Sequence, residues 1–216
     1  MELFSGLLDL LFPPKCVFCR RVLKANEKGV CALCETELRR APRGGAQKGD
    51  FFSTCVSPFF YEDQVRDSIH RYKFREATGY AKTYGRLIAG CIRENLSGRY
   101  DLISWVPLSA KRLKKRGYDQ AMLLAMAAAL ELSDVAVETL KKPTDVPAQS
   151  GVGSEEKRRA NIAGVFSVSD SELVQDRRIL LIDDIITTGA TFSECSRVLR
   201  HAGAVEILCA TLARTE

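Results

Sequence analysis

Histidine is almost missing from this 216-residue chain, with His70 and His201 the only two. Two imidazoles so far apart offer little for a histidine-built metal centre, and both fit ordinary helix positions. No apolar run reaches the roughly 20 residues that a membrane helix needs; the longest, Ala121 to Leu130, stops well short. The stretch Met1 to Phe12 is amphipathic but has neither a basic start nor a small-residue cleavage site, so no signal peptide is expected and a cytoplasmic location is. There is no internal repeat and no low-complexity tract, which argues against a solenoid or a disordered chain. A large charge excess is missing too. The net charge of +5 does not by itself establish nucleic-acid binding.

What the chain does have is material for one full domain plus an appendage. Hydrophobic residues make up 46% of it, enough for a substantial core, and charged residues 27%. Residues 1–45 read as a short helix followed by a cysteine-rich module, and Ala41 to Gly45 as a linker rich in glycine and charge. Residues 46–216 then alternate between strand and helix. Strands are expected over Val56–Tyr61, Asp101–Val106, Val135–Leu140, Val165–Val168, Ile179–Ile182 and Val205–Thr211. Helices are expected over Glu62–Lys73, Lys82–Asn95, Tyr118–Leu132 and Phe192–His201, from apolar spacings such as Val65, Ile69 and Tyr72. That alternation predicts an α/β, doubly wound fold with a mainly parallel sheet.

Eight cysteines fall into two kinds. Cys55, Cys91, Cys195 and Cys209 stand singly in apolar segments and read as buried core thiols. Cys16, Cys19, Cys31 and Cys34 form two CxxC pairs, each able to put two thiolates on one tetrahedral ion. Zn²⁺ is the metal expected, with an iron–sulfur centre as the rival. Four sulfurs close the coordination sphere, so the site is expected to be structural, with Arg20, Arg21, Lys24, Lys28, Arg39 and Arg40 nearby for docking a partner or nucleic acid.

The chemistry concentrates in Ile179 to Thr191. An apolar strand runs into Asp183 and Asp184, then into a glycine-containing loop and a helix start. In open parallel sheets, ligands bind at the carboxyl ends of strands, and a helix N-terminus favours an anion. Thr187, Thr188 and Thr191 offer hydroxyl donors, while Gly189, followed by Ala190, lets backbone approach a phosphate. Two adjacent carboxylates would repel that phosphate. They suit sugar hydroxyls or a divalent cation instead, and the two demands together describe a ribose 5-phosphate.

This segment resembles the 5-phosphoribosyl 1-pyrophosphate (PRPP) motif of type I phosphoribosyltransferases. The resemblance implies that Asp183 and Asp184 hold the ribose hydroxyls, that Thr187 to Thr191 cradle the 5-phosphate, and that Mg²⁺ accompanies the pyrophosphate. Thr187 departs from the aspartate usual in 6-oxopurine enzymes, which disfavours purine salvage. Two basic segments add to the picture. Lys111, Arg112 and Arg116, in a basic loop after Val106-Pro107-Leu108, are candidates for pyrophosphate contact. The long polar stretch 143–163, with Gln149, Arg158 and Asn161, reads as a lid that would exclude water.

The cysteine module, Tyr72-Lys73-Phe74-Arg75, the Val106 to Ala121 segment, Gln149 to Phe166 and the PRPP loop occur together and in order. On those blocks the chain resembles the ComF family of competence proteins almost from end to end, with Asp119 where many relatives carry asparagine. Membership implies a role in natural transformation, handling single-stranded DNA with a helicase-like partner. Phosphoribosyl transfer to an unknown acceptor and a non-enzymatic DNA-uptake role both remain open, with salvage ranked last.

Overall fold

The computed structural model describes residues 13–74, 77–143 and 164–216. The expected helix within 1–12, Arg75, and the lid residues Gln149, Arg158 and Asn161 lie outside the described residues.

The elements in chain order are helix α1 (Ala32–Glu37), a 3₁₀ turn (Pro42–Gly45), strands β1 (Thr54–Val56) and β2 (Phe59–Phe60), and helices α2 (Asp63–Phe74) and α3 (Tyr80–Leu96). Strand β3 (Leu102–Trp105) leads to α4 (Ala110–Arg116) and α5 (Gln120–Leu132). Then come β4 (Leu140–Lys141), β5 (Ser167–Val168), β6 (Arg178–Ile186), α6 (Ala190–His201) and β7 (Glu206–Arg214). The main sheet is parallel throughout, in the order β1-β7-β6-β3, with β2 also on β7. The expected Val56–Tyr61 strand is thus two short pieces along one edge. Pro58 separates them, having no N–H to give to the ladder.

The central strands carry alternating side chains to two faces. Leu180 and Ile182 of β6 and Leu208, Ala210 and Leu212 of β7 point into one core, shared with Tyr72, Tyr84, Ile88 and Leu124 of α2, α3 and α5. Ile179 and Leu181, with Ile207 and Cys209, enter the other, under Phe192, Cys195 and Leu199 of α6. Each of the four single cysteines is buried, as expected. Helices α3 and α5 cross closely at Gly85, where an added Cβ would stand 2.5 Å from Ala127 Cβ and 2.7 Å from its carbonyl carbon. Only the missing side chain permits that crossing.

Three expectations change. Strand β6 does not stop at Ile182: Asp183 pairs with Thr211, and Ile185 and Ile186 pair with Ala213 and Arg214. The β-branched pair after the acids and the nine-residue length of β7 sustain the ladder. The basic run after β3 is not a loop but α4, closed by Gly117, whose N–H reaches the Leu113 carbonyl at 2.8 Å. The Val135–Leu140 segment contributes one parallel bridge, Ala136 to Ile103, before Leu140 and Lys141 turn to pair antiparallel with Val168 and Ser167.

The cysteine module shares the first core. Phe18 packs edge-on against Phe59 at 5.4 Å between ring centres and lies 6.2 Å from Tyr84.

Candidate functional site

Strand β6 delivers Asp183 and Asp184 near its carboxyl end, between β3 and β7. Asp184 is 3% exposed, too deep to be an incidental surface acid. Its Oδ2 lies 2.7 Å from Lys73 Nζ, itself mostly buried at the last turn of α2. No amide or hydroxyl donor meets this buried oxygen among the described residues, so the ammonium is the polar partner the structure gives it. Burial works against the lysine's charge, but Asp184, aided by Asp183, outweighs it and holds the Lys73 pKa above its ordinary value.

Asp183 keeps part of its surface open, and its Oδ1 accepts the Asp184 N–H at 2.8 Å. Packing around it raises its carboxyl pKa well above the usual carboxylate range. Asp184 pushes the same way, while Lys73 pulls it down. The pair therefore holds one acid matched by a cation and one whose proton is bound more tightly than usual.

Beyond the acids the chain turns through Thr187, Thr188 and Gly189 into α6. Gly189 has φ +76°, the left-handed region in which an L side chain is strained. Thr188 Oγ1 accepts the Ala190 N–H at 3.4 Å, and Thr215 N–H donates to the Ile186 carbonyl at 3.0 Å, fastening the turn from below. No side chain of the N-cap residue closes the start of α6. The first-turn amides of Thr191 and Phe192 have no intrahelical acceptor by the geometry of any helix start. Asp183, Asp184 and residues 187–191 thus lie along one short turn, with the carboxyl groups at one end and the first-turn amides of α6 at the other.

The loop after β3 runs alongside, the Val106 N–H bonding to the Ile182 carbonyl at 3.1 Å. Asp119 organises it. One carboxylate oxygen accepts the Leu108 N–H at 2.9 Å, and the other accepts those of Ala121 and Met122 at 3.0 and 3.1 Å, capping α5. Ser109 Oγ is buried in this loop without a partner among the described residues. Lys111 and Arg112 lie exposed on α4 with no ion pair among the described residues. Arg116 behaves differently, stacking over the Phe74 ring at 4.9 Å and donating to Gln120 Oε1 at 2.7 Å. Residue patterns alone did not single out Lys73. Its helix is readable, but a lysine beside buried Tyr72 carries no local sign that its partner comes from β6.

The thiol sulfurs of Cys16, Cys19, Cys31 and Cys34 all lie within 4.8 Å of one another. A tetrahedral Zn²⁺ with bonds of about 2.3 Å needs sulfurs about 3.8 Å apart, and Cys19 and Cys31 stand at 3.6 Å. Burial opposes ionisation of Cys31, but hydrogen bonds from the Cys34 amide and the neighbouring thiols outweigh it and bring its pKa to about 7. Cys31 also caps α1, its sulfur 3.5 Å from the Cys34 N–H. Four sulfurs with no place left for a water make this a structural zinc site.

Sheet topology, acid pair and turn define the class. A phosphoribosyl transferase domain matches residues 113–216, and a double zinc ribbon domain matches residues 7–46. The chain is 29% identical to Competence protein F of Haemophilus influenzae, across 93% of this chain and 96% of that protein. It is 27% identical to the DNA utilization protein YhgH of Escherichia coli K12, across 95% and 99%. It is 30% identical to Competence protein ComFC of Streptococcus pneumoniae, across 72% of this chain and 66% of that protein. The chain belongs to the ComF family of the type I phosphoribosyltransferase superfamily.

Proposed function

We propose that this protein binds PRPP at the carboxyl end of β6 and serves in the uptake and handling of single-stranded DNA. One arrangement carries the reading: two adjacent acids near a strand end, Asp184 held at 2.7 Å by Lys73, followed by a turn into a helix start behind Gly189 that no N-cap side chain closes. A vicinal diol would donate to the acceptor sites the acids have left, and a terminal phosphate fits the amides of 187–191. Lys73 holds the Asp184 carboxyl in place.

Mg²⁺ has no cage of its own among the described residues. It would fit as an ion that arrives on the pyrophosphate, held by substrate oxygens and at most one of the two acids, where it would neutralise leaving-group charge. Ser109, buried in the loop after β3 without a partner among the described residues, and Lys111 and Arg112 beyond it, are the groups that would meet the pyrophosphate. Gln149, Arg158 and Asn161 would close over it. The carbon thus exposed between diol and pyrophosphate is where an acceptor would attach. Thr187 offers no acid or base for a 6-oxopurine, which disfavours that acceptor and leaves orotate-like or unrelated ones open.

The DNA role rests on the names of the relatives and on α4. Lys111, Arg112, Lys114 and Lys115 lie exposed in one seven-residue helix without acidic partners among the described residues, as a phosphate-tracking surface requires. A helicase-like partner belongs to the same reading.

Calorimetry with PRPP and Mg²⁺ tests the proposal. Saturable binding that Asp183→Ala with Asp184→Ala abolishes is expected; equal heats from both proteins would end it.

A further inference from the structure

One helix touches both halves of the protein's chemistry. At its first turn, α2 places Gln64 Oε1 3.3 Å from Cys34 Sγ. In its middle, Ser68 donates to the Val17 carbonyl, and Arg71 donates to the carbonyls of Val17 and Phe18 at 3.0 and 2.6 Å. Both acceptors lie inside the Cys16–Cys19 turn. At its last turn, Lys73 meets Asp184 at 2.7 Å. These contacts span ten residues of a continuous helix, Gln64 to Lys73, a rise of roughly 14 Å.

We infer that α2 couples the zinc site to the acid pair, with Lys73 as the positioning residue for Asp184, so that zinc retention and sugar-phosphate binding strengthen each other. The inference rests on the PRPP reading above and deepens it.

The physical case runs through what each end loses. With zinc bound, Cys34 is a thiolate with no proton to give, so Gln64 turns its amide N–H toward the sulfur, as groups behind metal ligands commonly do. Zinc also fixes the Cys16–Cys19 turn, whose carbonyls point at the guanidinium. Arg71 is partly buried and its Nε has no partner among the described residues, so the two carbonyl contacts are its main polar compensation. Without the ion the turn would keep its backbone bonds and the packing of Phe18 but lose its sulfur tether, so the carbonyls facing Arg71 would be held less firmly and α2 would lose part of what sets its place at that end.

The other end has little slack. Tyr72 is fully buried, its hydroxyl on the Gln120 carbonyl at 2.9 Å. A small shift of α2 cannot be absorbed by a side chain packed on all sides; it passes to Lys73. Asp184 then sits buried without its cation, a costly state, and its carboxyl is no longer held in one direction for a sugar diol. By reciprocity, a ligand that needs Asp184 so aimed tightens the hold on zinc by the same factor.

The experiment measures the zinc affinity of the full-length protein by equilibrium competition with a chromogenic chelator, with Mg²⁺ throughout and with or without PRPP. Calorimetry on the same preparation sets the saturating concentration. The Asp183→Ala, Asp184→Ala protein corrects for zinc captured by PRPP itself. Wild type is expected to hold zinc about five-fold or more tightly when PRPP is bound, a typical size for coupling between two sites. Lys73→Met is expected to keep its zinc content but lose that gain, and Lys73→Arg, which keeps the charge, to restore it. Arg71→Met is expected to hold zinc less tightly and to bind PRPP more weakly. Calorimetric binding with an unchanged zinc affinity overturns the coupling while leaving the PRPP reading intact, as does the full gain in Lys73→Met. No calorimetric binding removes the PRPP reading and the coupling with it.

Discussion

Tyr118 donates its hydroxyl to the backbone carbonyl of Tyr72, while Tyr72 donates its own to the carbonyl of Gln120, two residues beyond Tyr118. The crossed pair latches the end of α2 to the start of α5, and the rings lie 6.1 Å apart. Arg116, stacked on Phe74, closes the outer side of the same seam.

Tyr72→Phe should weaken that latch by about 1–3 kcal/mol, since it strands a buried carbonyl without changing the packed volume. Urea unfolding would show this as a lower midpoint at an unchanged slope. A midpoint equal to wild type would mean that the hydroxyl contributes nothing.

Asp183 should cost the unliganded protein stability. Its folded pKa lies above the ordinary 3.8, so the folded state holds a proton that the unfolded chain has already released. Stability from this group is present below that ordinary value and is lost as pH rises through the folded pKa. Asp183→Asn should therefore melt higher than wild type near neutral pH, with the gap closing toward pH 4, while PRPP binding is lost. Thermal melts across that range decide it; a variant less stable at neutral pH would contradict the sign.

Gly85→Ala should destabilise by about 1–3 kcal/mol, the usual cost of forcing a methyl into a filled space. The obstacle is the backbone of Ala127 and Ala128, which cannot rotate away. Gly90→Ala on the same helix meets nothing within 4 Å and serves as the control. It should be neutral or slightly stabilising by helix propensity.

Zinc removal should be steeply pH-dependent, because the ligands bind the ion as thiolates and must release protons to do so. With Cys31 near pKa 7 and Cys34 pushed up by burial and its neighbouring thiols, protons compete with the metal across the neutral range. Zinc affinity, measured by chelator competition, should fall as pH drops. Cys31→Ser should reduce the zinc content of the purified protein.

Much of this was readable from residues, and the rest was not for identifiable reasons. Val65, Ile69 and Tyr72 announce α2 because all three are buried on one face. Both CxxC pairs announce their cluster because the spacing itself makes the chelate. Helix α4 gave no such signal. None of its residues is buried, so its run of lysines and arginines has no apolar period to read. The end of β6 was hidden by its own acids, which look like a strand's stop until Thr211 of β7 supplies the pairing. Lys73 is legible only inside the Tyr72-Lys73-Phe74-Arg75 block, with no role attached, for the most general reason: its partner is a side chain that only the folded sheet brings near.

The shared core under Phe18 has a practical consequence for anyone dividing the molecule. A cut after residue 45 looks natural from the chain, since glycines and a proline mark it. Yet it would bare Phe59, Tyr84 and the Val17-facing side of Arg71 at a stroke, leaving an oily, cationic scar on the larger piece. Such a fragment should stick to itself rather than behave as a free-standing domain, so mapping by truncation would misreport which half does what.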